Sequence, residues 1–357
     1  MKKEHIAAIA VAAGSFAGGS ALAVLSDVIF RKTVKRQSAG AGHTHYGKSP
    51  DDGGSRDYKA ESRRWARASQ RAAQDSTEEM NVLVEQLKTL GRKWFYNQKT
   101  EHVFINATAE DVTLHGYYYH AEKPERIILM AHGHRGDPGD MGIMAKWLGE
   151  NGCDMLLVNE RGCGMSGGEY ITYGVLEQLD MLDWLSWIHD HNYAGLPVYM
   201  MGTSLGAATV LMTTQYELAP EVKGVIADSA YTSMREVISG IIKQKVPVLP
   251  VNILMELLED RCRSEAGFDP EEANTGRALA ECKTPVLFVH GTGDKIVPVE
   301  NMERNYAACA CEDKRMLRVE GAGHVQSWYI AGDKYKQALT EFFEAHDADA
   351  ADGNMAE

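Results

Sequence analysis

The stretch Val198-Tyr199-Met200-Met201-Gly202-Thr203-Ser204-Leu205-Gly206-Ala207-Ala208-Thr209-Val210-Leu211-Met212 decides the fold. It opens on an apolar run, turns between Gly202 and Gly206, and continues into an alanine-rich run. The opening has the pattern of a strand buried on both faces, and the continuation that of a helix start. A serine at such a strand-to-helix turn, in the form G-x-S-x-G, presents its hydroxyl clear of the sheet as a nucleophile. The same form recurs at Gly164-Met165-Ser166-Gly167-Gly168, but that match runs on into a loop. Context therefore assigns the nucleophile to Ser204 and not to Ser166.

Working outward, short apolar runs alternate with longer amphipathic ones from about residue 101. Strands are expected at His102–Ala107, Val112–His120, Arg126–His132, Asp154–Asn159, Val198–Gly202, Val222–Asp228, Pro285–His290 and Arg315–Glu320. Helices separate most of the later ones, among them Leu176–His189 and Leu205–Glu217. Strands alternating with helices imply an α/β fold, a mostly parallel eight-stranded sheet with helices on both faces. The first two strands have no helix between them, so they form an antiparallel edge. The interval Tyr231–Glu281 has no strand pattern and reads as a helical insertion.

A serine hydroxyl needs a base, and the base needs a carboxylate to fix its tautomer. His324, after the last strand in Gly321-Ala322-Gly323-His324, is the candidate base. Asp294, after the penultimate strand in His290-Gly291-Thr292-Gly293-Asp294, is the candidate acid, with Asp228 as runner-up. The chain order Ser204, Asp294, His324 is that of α/β-hydrolases. A tetrahedral intermediate also needs two backbone N–H donors. Leu205 supplies one. The other is expected at His134, in the loop His132-Gly133-His134-Arg135-Gly136, with its side chain outside the chemistry. Arg135 either contacts an anionic substrate or faces solvent.

These segments, with LHGYYYHA, LLVNERGCGMSGGEY, VIADSAYTS, AGFDPEEA and PVLFVHGTGDKIVP, resemble the α/β-hydrolase superfamily over about residues 101–345. More narrowly, they resemble membrane-anchored bacterial hydrolases of the serine aminopeptidase-like (S33) group. The resemblance implies a serine hydrolase with Ser204, Asp294 and His324 as triad and a small helical cap at about 231–281. It also makes GMSGG a structural loop. Asn159-Glu160 stands where an Asp is usual before Arg161-Gly162, a departure outside the triad.

The chain carries 37 basic and 50 acidic residues in 357, a net charge of −13. That balance excludes a general attraction to nucleic acid. The first 37 residues run the other way, with Lys2, Lys3, Arg31, Lys32, Lys35 and Arg36 against Glu4 and Asp27. Between the basic ends lies an apolar run, Ile6 to Phe30. As a helix it would rise roughly 37 Å, enough for a bilayer core of about 30 Å. It reads as an uncleaved single-pass membrane anchor. The A-x-A form at Ala21-Leu22-Ala23 makes a cleavable signal peptide its rival. The richer basic cluster after the run favours a cytoplasmic catalytic part, and the opposite side stays open.

Residues 38–60 read as a flexible linker, in which His43 and His45 lack a third metal ligand. Residues 61–100 read as a juxtamembrane helical segment. There Ser76-Thr77-Glu78-Glu79 is a capping box, Met80, Leu83, Leu87 and Leu90 form the apolar face, and Gly91 is the stop. Arg63, Arg64, Arg67 and Arg71 read as a solvated face. Residues 346–357 read as a frayed acidic tail. Trp184, Trp187, Leu182, Leu185 and Ile188 read as core, and Cys153 and Cys163 as buried thiols. Val246–Val251, Ile253, Leu254, Leu257 and Leu258 are candidates to roof an acyl pocket. No metal, nucleotide or flavin motif is present, so no cofactor is expected. The expected partner is a small ester or acyl substrate, with no obligate protein partner. The rivals to an esterase are a peptidase and a catalytically silent tethered binding module.

Overall fold

A computed structural model describes residues 19–36 and 77–347. The strands are β1 (Glu101–Asn106), β2 (Thr113–Tyr119), β3 (Arg126–Ala131), β4 (Cys153–Asn159), β5 (Val198–Thr203), β6 (Val222–Asp228), β7 (Val286–Gly291) and β8 (Lys314–Val319). The helices are α1 (Gly19–Thr33), α2 (Thr77–Tyr96), α3 (Gly142–Glu150), α4 (Glu177–His191), α5 (Leu205–Thr213), α6 (Met234–Lys245), α7 (Val251–Ser264), α8 (Thr275–Leu279), α9 (Glu300–Ala308), α10 (Ser327–Ala331) and α11 (Asp333–His346).

The strands form one sheet in the order β1-β2-β4-β3-β5-β6-β7-β8. The β1–β2 and β2–β4 pairs are antiparallel and all later pairs are parallel. All eight strands lie close to where the apolar runs placed them. Every residue of β3, β4, β5 and β7 is buried. Helices on both sheet faces require that of them, which is why these strands read as unbroken apolar runs. One face packs on α4, α5 and the α8–α9 region, with Trp184, Leu185 and Ile188 in its core. The other packs on α2, α3, α10 and α11. Between β6 and β7 the chain forms helices joined by loops, with no strand. There α6, α7 and α8 share a third apolar cluster with α1.

Several elements differ from the sequence reading. Helix α5 stops at Thr213, short of Glu217. The Thr213 and Thr214 hydroxyls bond back to the Thr209 and Leu211 carbonyls, and competition of this kind ends helices. Gly91 does not stop α2, which continues to Tyr96. A Cβ on Gly91 would lie 2.7 Å from the Ile143 amide, and one on Gly142 would lie 2.2 Å from the Gly91 carbonyl oxygen. The glycine is there for close approach of α2 to α3. Met80, Val84 and Phe95 form the buried face of α2, which packs on the hydrolase-like body rather than standing apart from it.

The membrane-anchor reading rests largely on residues before Gly19, which lie outside the described residues. No helix among the described residues is long and apolar enough to cross a membrane. The described part of the apolar run is α1, and it lies against α7. Phe30 and Val34 are wholly buried, the Arg261 guanidinium sits over the Phe30 ring, and Arg261 donates to Asp27 at 2.5 Å. Val24, on the same helix, is 59% exposed. The earlier part of the run, the 38–60 linker, the four arginines from Arg63 to Arg71 and Ser76 lie outside the described residues. At the other end, His346 and Asp347 are not frayed. Asp347 accepts from Arg126 and from Tyr199, and His346 is buried against Phe342. The remainder of the tail lies outside the described residues.

Candidate active site

Ser204 sits between β5 and α5 with φ 54° and ψ −110°. A left-handed serine costs on the order of 1 kcal/mol or more, and the surrounding glycines make the turn possible. A Cβ at Gly202 would lie 2.2 Å from Gly206 backbone, and one at Gly206 would lie 2.2 Å from the Ala131 carbonyl oxygen. The hydroxyl emerges at the carboxyl end of the parallel strands. Four other non-glycine residues among the described residues have positive φ: Arg135, Tyr173, Ser229 and Val325. Tyr173, Ser204 and Val325 line one cavity, and the other two adjoin residues that do. Such strain collects where function demands it.

Ser204 Oγ lies 2.8 Å from His324 Nε2, and His324 Nδ1 lies 2.7 Å from Asp294 Oδ2. The carboxylate accepts from Nδ1–H, which leaves Nε2 free to accept from the serine hydroxyl. Asp294 is itself held. Its Oδ1 accepts from the Ile296 and Val297 amides at 2.9 Å. His290 Nε2 lies 3.3 Å from Oδ2 while donating to the Val297 carbonyl. Burial alone would raise this carboxyl. The hydrogen bonds from His290 and His324 outweigh that and hold it below the ordinary carboxylate range, so it stays charged. The runner-up, Asp228, is turned elsewhere and accepts from Ser229 and Ser327. Burial, countered in part by those two bonds, raises its pKa.

Leu205 is the first residue of α5, so its N–H has no acceptor within the helix. The loop after β3 faces it. A Cβ on Gly133 would lie 3.4 Å from Ser204 Cβ, and His134 lines the cavity. The His134 ring points away, with Nε2 donating to the Thr33 carbonyl at 2.7 Å. Burial lowers its pKa to about 4, so the ring is neutral. Arg135 is not among the cavity-lining residues and is only partly exposed. Its Nη2 donates to the Arg31 and Lys35 carbonyls.

The cavity measures about 340 Å³. It runs from Ser204 and His324 between Met141, Met144, Tyr173, Tyr231, Trp328 and Tyr329. Its cap-side wall is Val237 and Ile241 of α6. The 246–258 segment does not supply the roof: Val248 is 82% exposed, and Leu254 and Leu258 pack with α1 instead. Lys88, Asp140 and Asp228 also line the cavity. Lys88 comes from α2, and Asp140 is paired with Arg92 of α2 at 2.7 Å. Ser166, of the second G-x-S-x-G, is wholly buried and bonds to Asn159 and His115 backbone. Among the described residues no group of side chains is arranged to hold a metal ion.

Residues 122–261 match the family described as serine aminopeptidase, S33. The fold is also that of the Pyrococcus furiosus esterase Pf2001, at TM-score 0.55 and 21% identity, covering 70% of this chain and 93% of the other. The matched stretch and the fold are those of the α/β-hydrolase superfamily. This hydrolase is 24% identical over 255 residues to the uncharacterized Bacillus subtilis protein YqkD, covering 70% of its own length and 81% of the relative. It shares its fold with a Mycobacterium tuberculosis puromycin-hydrolyzing peptidase at TM-score 0.53 and 16% identity, over 70% of this chain and 39% of that one. The cavity residues Tyr173, Tyr231, Trp328 and Lys88 carried no local signal. Each arrives from a separate element, and their convergence is a property of the topology. His290 was legible in principle, four residues before Asp294 at the end of β7.

Proposed function

We propose that this hydrolase cleaves carboxylic esters through an acyl-Ser204 intermediate. One observation carries the reading: an unbroken hydrogen-bond line from Ser204 through His324 to a charged Asp294, opening on a mainly apolar cavity. As Ser204 Oγ bonds to the acyl carbon, its proton passes to His324 Nε2. The imidazolium formed is stabilised by Asp294. The carbonyl oxygen gains charge against the His134 and Leu205 amides. His324 then protonates the departing alcohol, and the acyl–serine bond remains. Water repeats the sequence: it loses a proton to His324, adds to the acyl carbon and releases the acid. The apolar walls favour an aliphatic or aryl acyl group.

Amide cleavage uses the same groups. A free α-ammonium would call for a charged, unpaired acid in the cavity, however; Asp140 is already engaged by Arg92, and Asp228 is turned to the Ser229 and Ser327 hydroxyls, with burial favouring its neutral form. Esters are therefore the preferred class. Ser204→Ala should lose p-nitrophenyl butyrate turnover by a factor of about 10⁴ or more, and lose labelling by a fluorophosphonate. Full turnover in that variant would end the proposal. Matched butyryl ester and aminoacyl amide substrates, assayed side by side, separate the esterase from the peptidase.

A further inference from the structure

Helix α1 ends beside the site. Its last carbonyls lack partners within the helix, as at any helix C-terminus. The Phe30 carbonyl accepts from Val34 and Lys35 amides. The next acceptors are met by the loop after β3. His134 Nε2 donates to Thr33 O at 2.7 Å, and Arg135 Nη2 donates to Arg31 O at 3.1 Å and Lys35 O at 2.6 Å. A guanidinium there also opposes the negative end of the helix dipole. The strap that follows is pinned from its other side. The Arg36 guanidinium donates to the Gly164, Ser166 and Gly168 carbonyls, and Ile171 N–H donates to Val34 O.

Arg135 depends on this arrangement. Its φ is 56°, a conformation an arginine holds only when neighbours fix it. Its Nε and Nη1 are buried without a hydrogen-bond partner, so among the described residues the strap carbonyls are its acceptors. The residue before it is His134, which lines the cavity and is the expected second oxyanion donor.

We propose that Phe30–Arg36 is a positioning element of the catalytic site: by clasping Arg135 and the His134 ring, it sets the His134 amide as oxyanion donor. The inference rests on the acyl-serine reading above. Arg135 is then a positioning residue that touches no substrate. Loss of a whole oxyanion donor costs about 10²–10³ in kcat, so its displacement should cost roughly 10- to 100-fold.

The test uses the full chain, with Arg135→Ala and, in case that variant fails to fold, Arg36→Ala. Turnover of p-nitrophenyl butyrate and the saturating rate of fluorophosphonate labelling are measured for each, with thermal unfolding alongside. The expected result is a kcat about 10- to 100-fold lower with KM within about twofold, and labelling slowed in parallel, because the phosphonyl oxygen occupies the same hole. Folded variants with unchanged kcat and labelling rate would overturn the proposal. So would a loss confined to KM. Wild-type protein that is not labelled at Ser204 would instead remove the underlying acyl-serine reading, a distinguishable failure.

Discussion

At the scale of single residues, the site is built on groups whose charge is set by what surrounds them. Asp294 is charged because His290 and His324 donate to it against the cost of burial. Glu160 is its opposite. It is wholly buried behind the oxyanion loop, and its Oε2 meets no hydrogen-bond partner. The neighbouring His132 lies with Nε2 3.2 Å from the Glu160 amide and with Nδ1 2.8 Å from the Gly133 carbonyl and 3.9 Å from Glu160 Oε2. Burial, and then the nearby Glu177, raise the Glu160 carboxyl well above the ordinary range. The sign follows from linkage. Below the ordinary carboxylate pKa both states hold the proton and nothing is lost. As pH rises past about 4.3, the unfolded chain releases it while the folded chain retains it, and stability falls by up to about 1.4 kcal/mol per unit. Glu160→Gln keeps the shape without the titration. Its unfolding temperature should overtake the wild type's progressively between about pH 5 and 8. Parallel midpoints across that range would show that Glu160 does not titrate in this way.

At the scale of elements, the legible parts were those whose signal is local. The apolar runs were clearest for β3, β4, β5 and β7, which are buried on both faces and so are mostly apolar. The Gly-x-Ser-x-Gly turn, Asp294 and His324 each follow a strand, so their shared edge could be read from order alone. Contacts between elements left no such trace. Gly91 looked like a helix stop because a glycine is read by its conformational freedom. Its actual use is the absence of a side chain where α2 meets α3. Gly142→Ala should therefore destabilise the protein by about 1–3 kcal/mol or more in denaturant titration, since backbone lies within 2.2 Å of the new methyl. Gly240→Ala in α6, where a Cβ meets nothing, should instead be neutral or stabilise by about 0.5–1 kcal/mol. Equal effects at the two positions would refute the close-packing account. The roof of the cavity was misplaced for a related reason. Leu254 and Leu258 are apolar because α1 covers them, and the sequence of α7 does not say which surface will do so.

At the scale of the whole molecule, the catalytic body does not begin where its first strand begins. Helix α2 buries Met80, Val84 and Phe95 as it packs on α3, places Lys88 in the cavity, and holds Asp140 through Arg92. A chain starting at Glu101 should be less stable by several kcal/mol, taking about 1.5–3 kcal/mol for each large buried side chain, and should bind hydrophobic dyes. One starting at Thr77 should keep that packing. Equal unfolding midpoints for the two would show that α2 is dispensable. The placement of α1 and α2 has a consequence for chimeras. Lys88 of α2 lines the cavity and the strap after α1 holds the loop behind it, and both segments fall outside the stretch 122–261 that matches the family. Transplanting the conserved body alone between relatives would leave the leader behind, and selectivity encoded in that leader would not travel with it. Grafts meant to exchange substrate preference should carry the upstream segment and the body as a single unit of inheritance.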